Sequence, residues 1–281
     1  MGPQPTIRSI TREELSLPLQ WAADEGWNPG LEDAEPFHAA DPNGFLMAFL
    51  KGQPVGCISV VRYGGFGFLG LYIVRPEHRG RGFGMRLWRA GMASLDGCVV
   101  GLDGVVAQQA NYARSGFALA HRNVRYAGRP MTETAAPSAR VKPVDAGLTE
   151  AVAAYDRRHF PADRARFLDA WLDPKSRKAF AFLDGNLLRG YAVLRACREG
   201  FKVGPLFADT QDIAEDLLRA AVAEAAGAPI AIDVPQPNAK AADLATGFGL
   251  APVFETARMY KGPAPDLPLA EIYGVTTLEL G

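Results

Sequence analysis

Cysteine is scarce in this chain. Cys57, Cys98 and Cys197 are the only three in 281 residues, an odd number, far apart and each set in an apolar run. This argues against a disulfide framework or a thiolate metal centre and reads as buried, reduced thiols, so a cytoplasmic protein with no metal site is expected. An excess of either charge is also lacking, with 30 Lys and Arg against 31 Asp and Glu. Neither nucleic acid nor an anionic membrane surface is therefore an expected partner. No apolar run reaches the ~18 residues of a membrane span, and the first residues carry no signal-peptide pattern. The opening MGPQPT matches a myristoylation pattern in form only, because Pro3 follows Gly2 directly.

What the chain has in quantity is apolar sequence, 48% of its residues, enough for packed cores. Its length favours two domains. A strand near Thr6–Ile10 leads through Thr11, with Glu14 three residues on, into a helix over 12–25. The loop EGWNPGLEDAEPF follows. Apolar runs at 44–50, 55–62 and 66–74 read as an antiparallel meander. After a glycine-rich turn, Met85, Leu87, Trp88, Met92 and Leu95 fall at helical spacing on one face. CVVGL at 98–102 suits a central strand, then come a helix over 105–115 ending at Gly116 and a strand near 118–126.

The plan then repeats. A polar stretch, with the linker placed at 131–140, separates residues 1–130 from residues 141–281. The second half runs through a helix at 148–159, the strands AFAFLDG, GYAVLRAC and FKVGPLFA, the helix QDIAEDLLRAAVAEAA, the strand PIAIDV and a helix ending in GFGL. NYARSGFALAHRNVRYAG near the end of the first half is answered by NAKAADLATGFGLAPVFETARMYKG in the second, which indicates an internal duplication.

The stretch RPEHRGRGFGMRLW carries the clearest chemistry. A helix N-terminus leaves its first N–H groups unpaired and carries the positive end of the helix dipole, so it holds anions when nothing bulky stands before it. Gly80, Gly82 and Gly84 clear that space, and Arg79, Arg81 and Arg86 charge its rim. A pyrophosphate would fit. GFGFLG at 65–70 also spells GxGxxG, but it precedes a strand instead of opening a helix, so it reads as a hairpin turn.

In this order of elements, Val74, Pro76, the RxxGxG pattern of Arg79, Gly82 and Gly84, and the YxxxGF ending of Tyr112, Gly116 and Phe117 resemble the GNAT (GCN5-related N-acetyltransferase) family. EGWNPG and RMYKG fit its two-domain subgroup. The resemblance implies tandem GNAT folds, a mixed α/β (α+β) sheet of the acyl-CoA N-acyltransferase type, with acetyl-CoA bound by the first half. It implies that Tyr72, Ile73 and Val74 lend backbone groups to the pantetheine arm. It further implies that Arg79, Gly80, Arg81, Gly82, Phe83, Gly84 and Met85 hold the pyrophosphate, with Asn111 and Tyr112 nearby. Tyr112 matches the position whose phenol protonates the CoA sulfur. Asp103 stands where the strands would part and is the candidate base, with the loop acids Glu25, Glu32, Asp33 and Glu35 or a water chain as alternatives; Glu25, Trp27, Asn28, Glu32 and Phe37, with Trp21, are the candidate acceptor residues. The chain departs from the family at Val105, where an asparagine is frequent.

The second half lacks RxxGxG, and Asp209, Asp212 and Glu215 occupy the equivalent turn, where they would repel phosphate. Asp243 stands at the position matching Tyr112. One cofactor site per chain is therefore expected. Two functions fit: an acetyl-CoA dependent N-acetyltransferase acting by direct attack of a small-molecule or amino-acid-like amine, or a non-catalytic acyl-CoA binding or sensing protein. A monomer or a homodimer is expected.

Overall fold

The computed structural model describes residues 4–131 and 136–281, so the expected linker lies partly outside the described residues. The first half runs β1 (Thr6–Ser9), α1 (Ser16–Asp24), α2 (Ala34–Ala40), β2 (Phe45–Leu50), β3 (Gln53–Tyr63), β4 (Phe66–Val74), α3 (Phe83–Ser94), β5 (Val99–Val105), α4 (Gln109–Arg114) and β6 (Ala118–Gly128). The second runs β7 (Val141–Pro143), α5 (Thr149–Asp156), α6 (Ala165–Trp171), β8 (Arg177–Asp184), β9 (Leu187–Ala196), β10 (Phe201–Ala208), α7 (Gln211–Ala225), β11 (Ile230–Pro235), α8 (Ala239–Gly247), β12 (Ala251–Lys261) and β13 (Ile272–Gly274). The fold is a mixed α/β one, as expected.

Local chemistry explains the element ends. Thr11 and Glu14 make the reciprocal capping contacts expected of them, Thr11 N–H to Glu14 Oε2 at 3.0 Å and Glu14 N–H to Thr11 Oγ1 at 3.4 Å. The turn they close precedes α1 instead of belonging to it. The hairpin between β3 and β4 turns at Gly64 and Gly65, while most of GFGFLG lies inside β4. In α3 the buried face is Phe83, Leu87, Trp88 and Gly91; Met85, expected inward, is half exposed at the mouth of the turn.

All the strands of the described residues join one sheet, in the order β1-β2-β3-β4-β5-β12-β6-β11-β10-β9-β8-β7, with β13 attached to β10. The two repeats exchange their last strands: β12 of the second half pairs with β5 of the first, and β6 of the first pairs with β11 of the second. Since β6 and β12 also pair with each other, neither half has a sheet edge at the junction. Alternation of side chains along the strands gives two faces. Leu46, Ala48, Ile58 and Val60 face α3. Phe45, Met47, Cys57 and Val61 face a core that also takes Leu15, Trp21 and Phe37 from the first half and Phe167, Trp171 and Tyr191 from the second. The two halves thus share a sheet and a core.

Each half contains one parallel pair, β4–β5 and β10–β11, and each pair opens partway along. The last β4–β5 partners are Leu69 and Leu102; the last β10–β11 partners are Val203 and Ile232. The second opening is filled by the chain itself. There β13 pairs with β10 through Leu206–Gly274 and Phe207–Ile272, and the Val275 N–H reaches the Asp233 carbonyl at 2.9 Å. The first opening leads into a cavity.

Candidate active site

The cavity has a volume of about 980 Å³ and lies between the parted ends of β4 and β5, the turn before α3, and α4. β4 is distorted where it parts: Leu71 has a positive φ of 42° and the β3–β4 register slips between Cys57 and Ser59. Beyond that point the Arg75 N–H bonds Val55 on β3 at 3.0 Å, and Ile73 faces Cys57. By the alternation of a strand, the backbone groups of Tyr72 and Val74 point into the opening. The Val74 carbonyl already accepts from Arg79 Nε at 2.8 Å. Of the three residues expected to lend backbone groups, Ile73 is corrected, because its groups face β3; Tyr72 keeps its groups on the open side, and Val74 keeps its N–H there with one lone pair of its carbonyl.

The three glycines of the turn do different things. Gly80 and Gly82 have φ of +71° and +79°, and a Cβ on either would project into open space. They supply a backbone path that other residues adopt at a cost and leave a cradle before α3, whose cap, Gly82, offers no side chain to its N–H groups. Gly84 permits close packing, since a Cβ there would stand 2.7 Å from the Tyr72 hydroxyl. Arg81 and Arg86 are exposed beside the cradle, and the Arg81 guanidinium lies 4.8 Å over the Phe83 ring. Arg79 points back: besides Val74 it bonds Glu25, so it ties the turn to the loop after α1. The donor set fits a pyrophosphate through the amides of Phe83, Gly84 and Met85 with Arg81 and Arg86 at the rim.

Tyr112 projects from α4 over β5. Its ring stacks on Trp88 at 5.7 Å and passes so near Gly104 that a Cβ there would meet it at 2.2 Å. Trp88 also touches Tyr72, at 5.6 Å between rings. Burial, with a smaller contribution from Tyr72, pushes the Tyr112 phenol up to about 12, so it keeps its proton across the neutral range. Asn111 bonds Gln108 and receives Arg114, and does not hold the phenol.

Asp103 lines the cavity, yet its carboxylate is buried in an ion pair and accepts three hydrogen bonds. Oδ1 accepts from Arg258 Nε at 2.7 Å and Asn123 Nδ2 at 2.8 Å, and Oδ2 accepts from Arg258 Nη2 at 2.6 Å. Burial pushes this carboxyl up, and the Arg258 guanidinium opposes the shift. A base must meet its substrate, and this carboxylate is shut away, with 0% of its side chain exposed and both oxygens bonded to Arg258. The expected catalytic role is corrected to a structural one, stitching β5 to the exchanged strands β12 and β6.

The acceptor residues divide. Glu25 and Trp27 line the cavity. Asn28 does not: Nδ2 donates to the Glu199 carbonyl at 2.9 Å and Oδ1 accepts its N–H at 3.0 Å, pinning the loop to the second half. Glu32 is exposed elsewhere. Phe37 is buried in the shared core against Phe45, and Trp21 lies in the same core. The wall opposite α4 comes instead from Arg125, Phe254, Thr256, Leu278 and Glu279. Four of these belong to the exchanged strand and the segment after it, and carry no local motif.

In the second half, α7 is capped by Thr210, whose Oγ1 accepts from the Ile213 N–H, and Asp209 is held by Tyr155 at 2.7 Å and Arg189 at 3.1 Å. With β13 in the opening between β10 and β11, no slot equivalent to the first remains there.

The chain belongs to the GNAT acyltransferase family. Residues 7–117 match the Acetyltransferase (GNAT) family and residues 152–274 match an Acetyltransferase (GNAT) domain, one match in each half. It is 30% identical over 278 residues, 98% of this chain and 94% of the other, to the holothin acyltransferase of Pseudoalteromonas sp. (strain SANK 73390). A Pyrococcus horikoshii protein classed as an acetyltransferase shares the fold with a TM-score of 0.83 at 24% identity, covering 100% of this chain and 97% of that one. A tandem GNAT protein from the clavulanic acid biosynthesis pathway aligns with a TM-score of 0.62 at 12% identity, covering 93% of this chain and 100% of that one.

Proposed function

We propose that the protein is an acyl-CoA dependent N-acyltransferase, with acetyl-CoA as its donor, that acylates the amine of a small molecule by direct attack. The observation that carries this reading is the convergence on one cavity of the glycine cradle before α3, the parted strands β4 and β5, and the Tyr112 phenol. The amides of Phe83, Gly84 and Met85 would hold the pyrophosphate, and the open backbone of Tyr72 would pair with the pantetheine arm as an added strand does. Bound there, acetyl-CoA supplies an activated thioester. Tyr112 places a protonated phenol where a departing thiolate needs a proton, while the ring stack on Trp88 fixes its position. The incoming ammonium must lose two protons, one delivered in effect to sulfur and one released to solvent. The second half binds no donor and instead walls the acceptor side.

The test is calorimetric titration with acetyl-CoA followed by thiol release against a panel of amines, holothin among them because the Pseudoalteromonas relative is named for it. Saturation near one acetyl-CoA per chain with amine-dependent thiol release supports the reading. Binding without release against every amine would point to the non-catalytic acyl-CoA sensor, and absence of binding would overturn both.

A further inference from the structure

The cavity contains several ionisable side chains, and nearly all of them have partners. Glu25 and Arg79 hold each other, Asp103 is held by Arg258, and Arg125 makes a two-point pair with Asp233 at 2.7 and 2.9 Å. At the mouth, Arg114 bonds Asn111 and His78 faces Arg81. Glu279 differs. Its side chain belongs to a residue only 5% exposed, it lines the cavity, and its Oε2 has no hydrogen-bond partner among the described residues. A buried carboxylate oxygen without a donor is costly, and in a residue that lines a cavity it invites a ligand that donates to it.

The position is as telling as the vacancy of partners. The segment after β13 leaves the opening of the second half and crosses β4 at Gly70, where a Cβ would stand 2.2 Å from the Glu279 carbonyl. Ser59 Oγ donates to that carbonyl at 3.4 Å. Gly70 is the first residue of β4 beyond its last β5 partner. Glu279 is therefore held at the vertex of the opening, between the strands that would hold the thioester and the wall from the second half. The charged groups around it are Arg125 on β6, Arg195 on β9, Lys202 on β10 and Asp233 on β11. Arg125 and Asp233 neutralise each other, Arg195 shares the Asp33 carboxylate with Arg177, each at 3.1 Å, and Lys202 donates to the Trp27 carbonyl at 2.9 Å, so the surroundings of Glu279 keep a net positive charge.

We infer that Glu279, supplied by the segment after the second repeat, is the base that takes the proton of the acceptor's ammonium. This rests on the acyl-transfer reading above. The carboxylate accepts one N–H proton, leaving a neutral amine whose lone pair forms the C–N bond; on collapse the C–S bond breaks, Tyr112 protonates the departing sulfur and regains a proton as the nitrogen gives up its second one, and the Glu279 proton returns to solvent through the open cavity.

The experiment compares two acceptors, benzylamine, which is an ammonium at neutral pH, and aniline, which is already neutral, at saturating acetyl-CoA. Glu279→Gln keeps the shape and removes the base. With benzylamine, kcat/KM should fall by on the order of 10²- to 10⁴-fold; with aniline it should stay within about 5-fold, and acetyl-CoA affinity should not move. Glu279→Asp, should the first variant fold poorly, keeps the charge and should recover part of the benzylamine activity. Equal losses with both amines, or no loss with benzylamine, would overturn the assignment while leaving acyl transfer intact. No thiol release by the wild type with these two or with any amine of the panel above would overturn the acyl-transfer reading and this inference with it.

Discussion

Asp103→Asn separates a structural carboxylate from a catalytic one. In the wild type the Asp103 carboxylate meets the Arg258 guanidinium through bonds of 2.6 and 2.7 Å, with 0% of the Asp103 side chain and 8% of the Arg258 side chain exposed. The amide keeps the volume but removes the charge, and its NH₂ would face a guanidinium that only donates. Breaking one partner of a buried pair leaves the other charge uncompensated, at about 3–5 kcal/mol. The cost falls where β5 of the first half meets β12 of the second, so it weakens the junction of the two repeats. At roughly 2–4 °C per kcal/mol for a chain near this size, Tm should drop by about 10 °C.

Urea unfolding measures the loss directly, and the double variant Asp103→Asn with Arg258→Met supplies the control. Removing the stranded charge should recover a good part of the stability lost in the single variant, giving a coupling energy of several kcal/mol. Acetyl-CoA affinity, read well below the melting range, should stay within a few fold. The reasoning is refuted if Asp103→Asn melts within about 2 °C of wild type while turnover falls by 10²-fold or more, because that is how a general base behaves.

Gly82→Glu should abolish acetyl-CoA binding in a folded protein, whereas Gly82→Ala, which carries the same strain at a φ of +79° without the charge, should bind within about 10-fold of wild type; calorimetry on the pair decides. Tyr112→Phe should lower kcat on the order of 10²-fold with little change in Tm or acetyl-CoA affinity, and an unchanged kcat when chemistry limits the rate would remove the phenol from the mechanism. Burial, aided by Arg125, pushes the Lys202 ammonium down to about 8 from 10.5, so unfolding takes up a proton between those pH values. The stability of wild type relative to Lys202→Met should therefore rise by about 3 kcal/mol from pH 8 to 10.5, and a flat difference in denaturant midpoints would show that the ammonium is not desolvated.

What the sequence made legible was written locally. The turn before α3 announces itself through glycines beside an amphipathic run, and Tyr112 through a six-residue frame, because each acts within a turn or two of its own backbone. Gly84 was read for the wrong reason, as clearance for phosphate, since its neighbour is the Tyr72 hydroxyl on another strand. Asp103 was misread for the same cause at longer range: its partner Arg258 is 155 residues away, and an unpaired acid looks identical to a paired one in a string. Asn28 and Phe37 likewise took their roles from distant contacts, with Glu199 and with the shared core.

The exchange of β6 and β12 marks the deeper limit. An alternating apolar strand satisfies its neighbours equally well whether they come from its own repeat or from the other, so the internal echo revealed two units without revealing which strand would complete which. Once the strands are exchanged, the segment after β12 must return across the sheet, and its course explains two features together. Passing through the second half, it lays β13 along β10 and fills the slot a pantetheine arm would need, as Gly204 shows by lying where a Cβ would meet the Thr276 carbonyl at 2.5 Å. Reaching the first half, it abuts Gly70 and brings Glu279 to the opening between β4 and β5. The same few residues close the opening between β10 and β11 and complete the wall of the cavity between β4 and β5, so the loss of one slot and the walling of the other are, in this fold, one structural event.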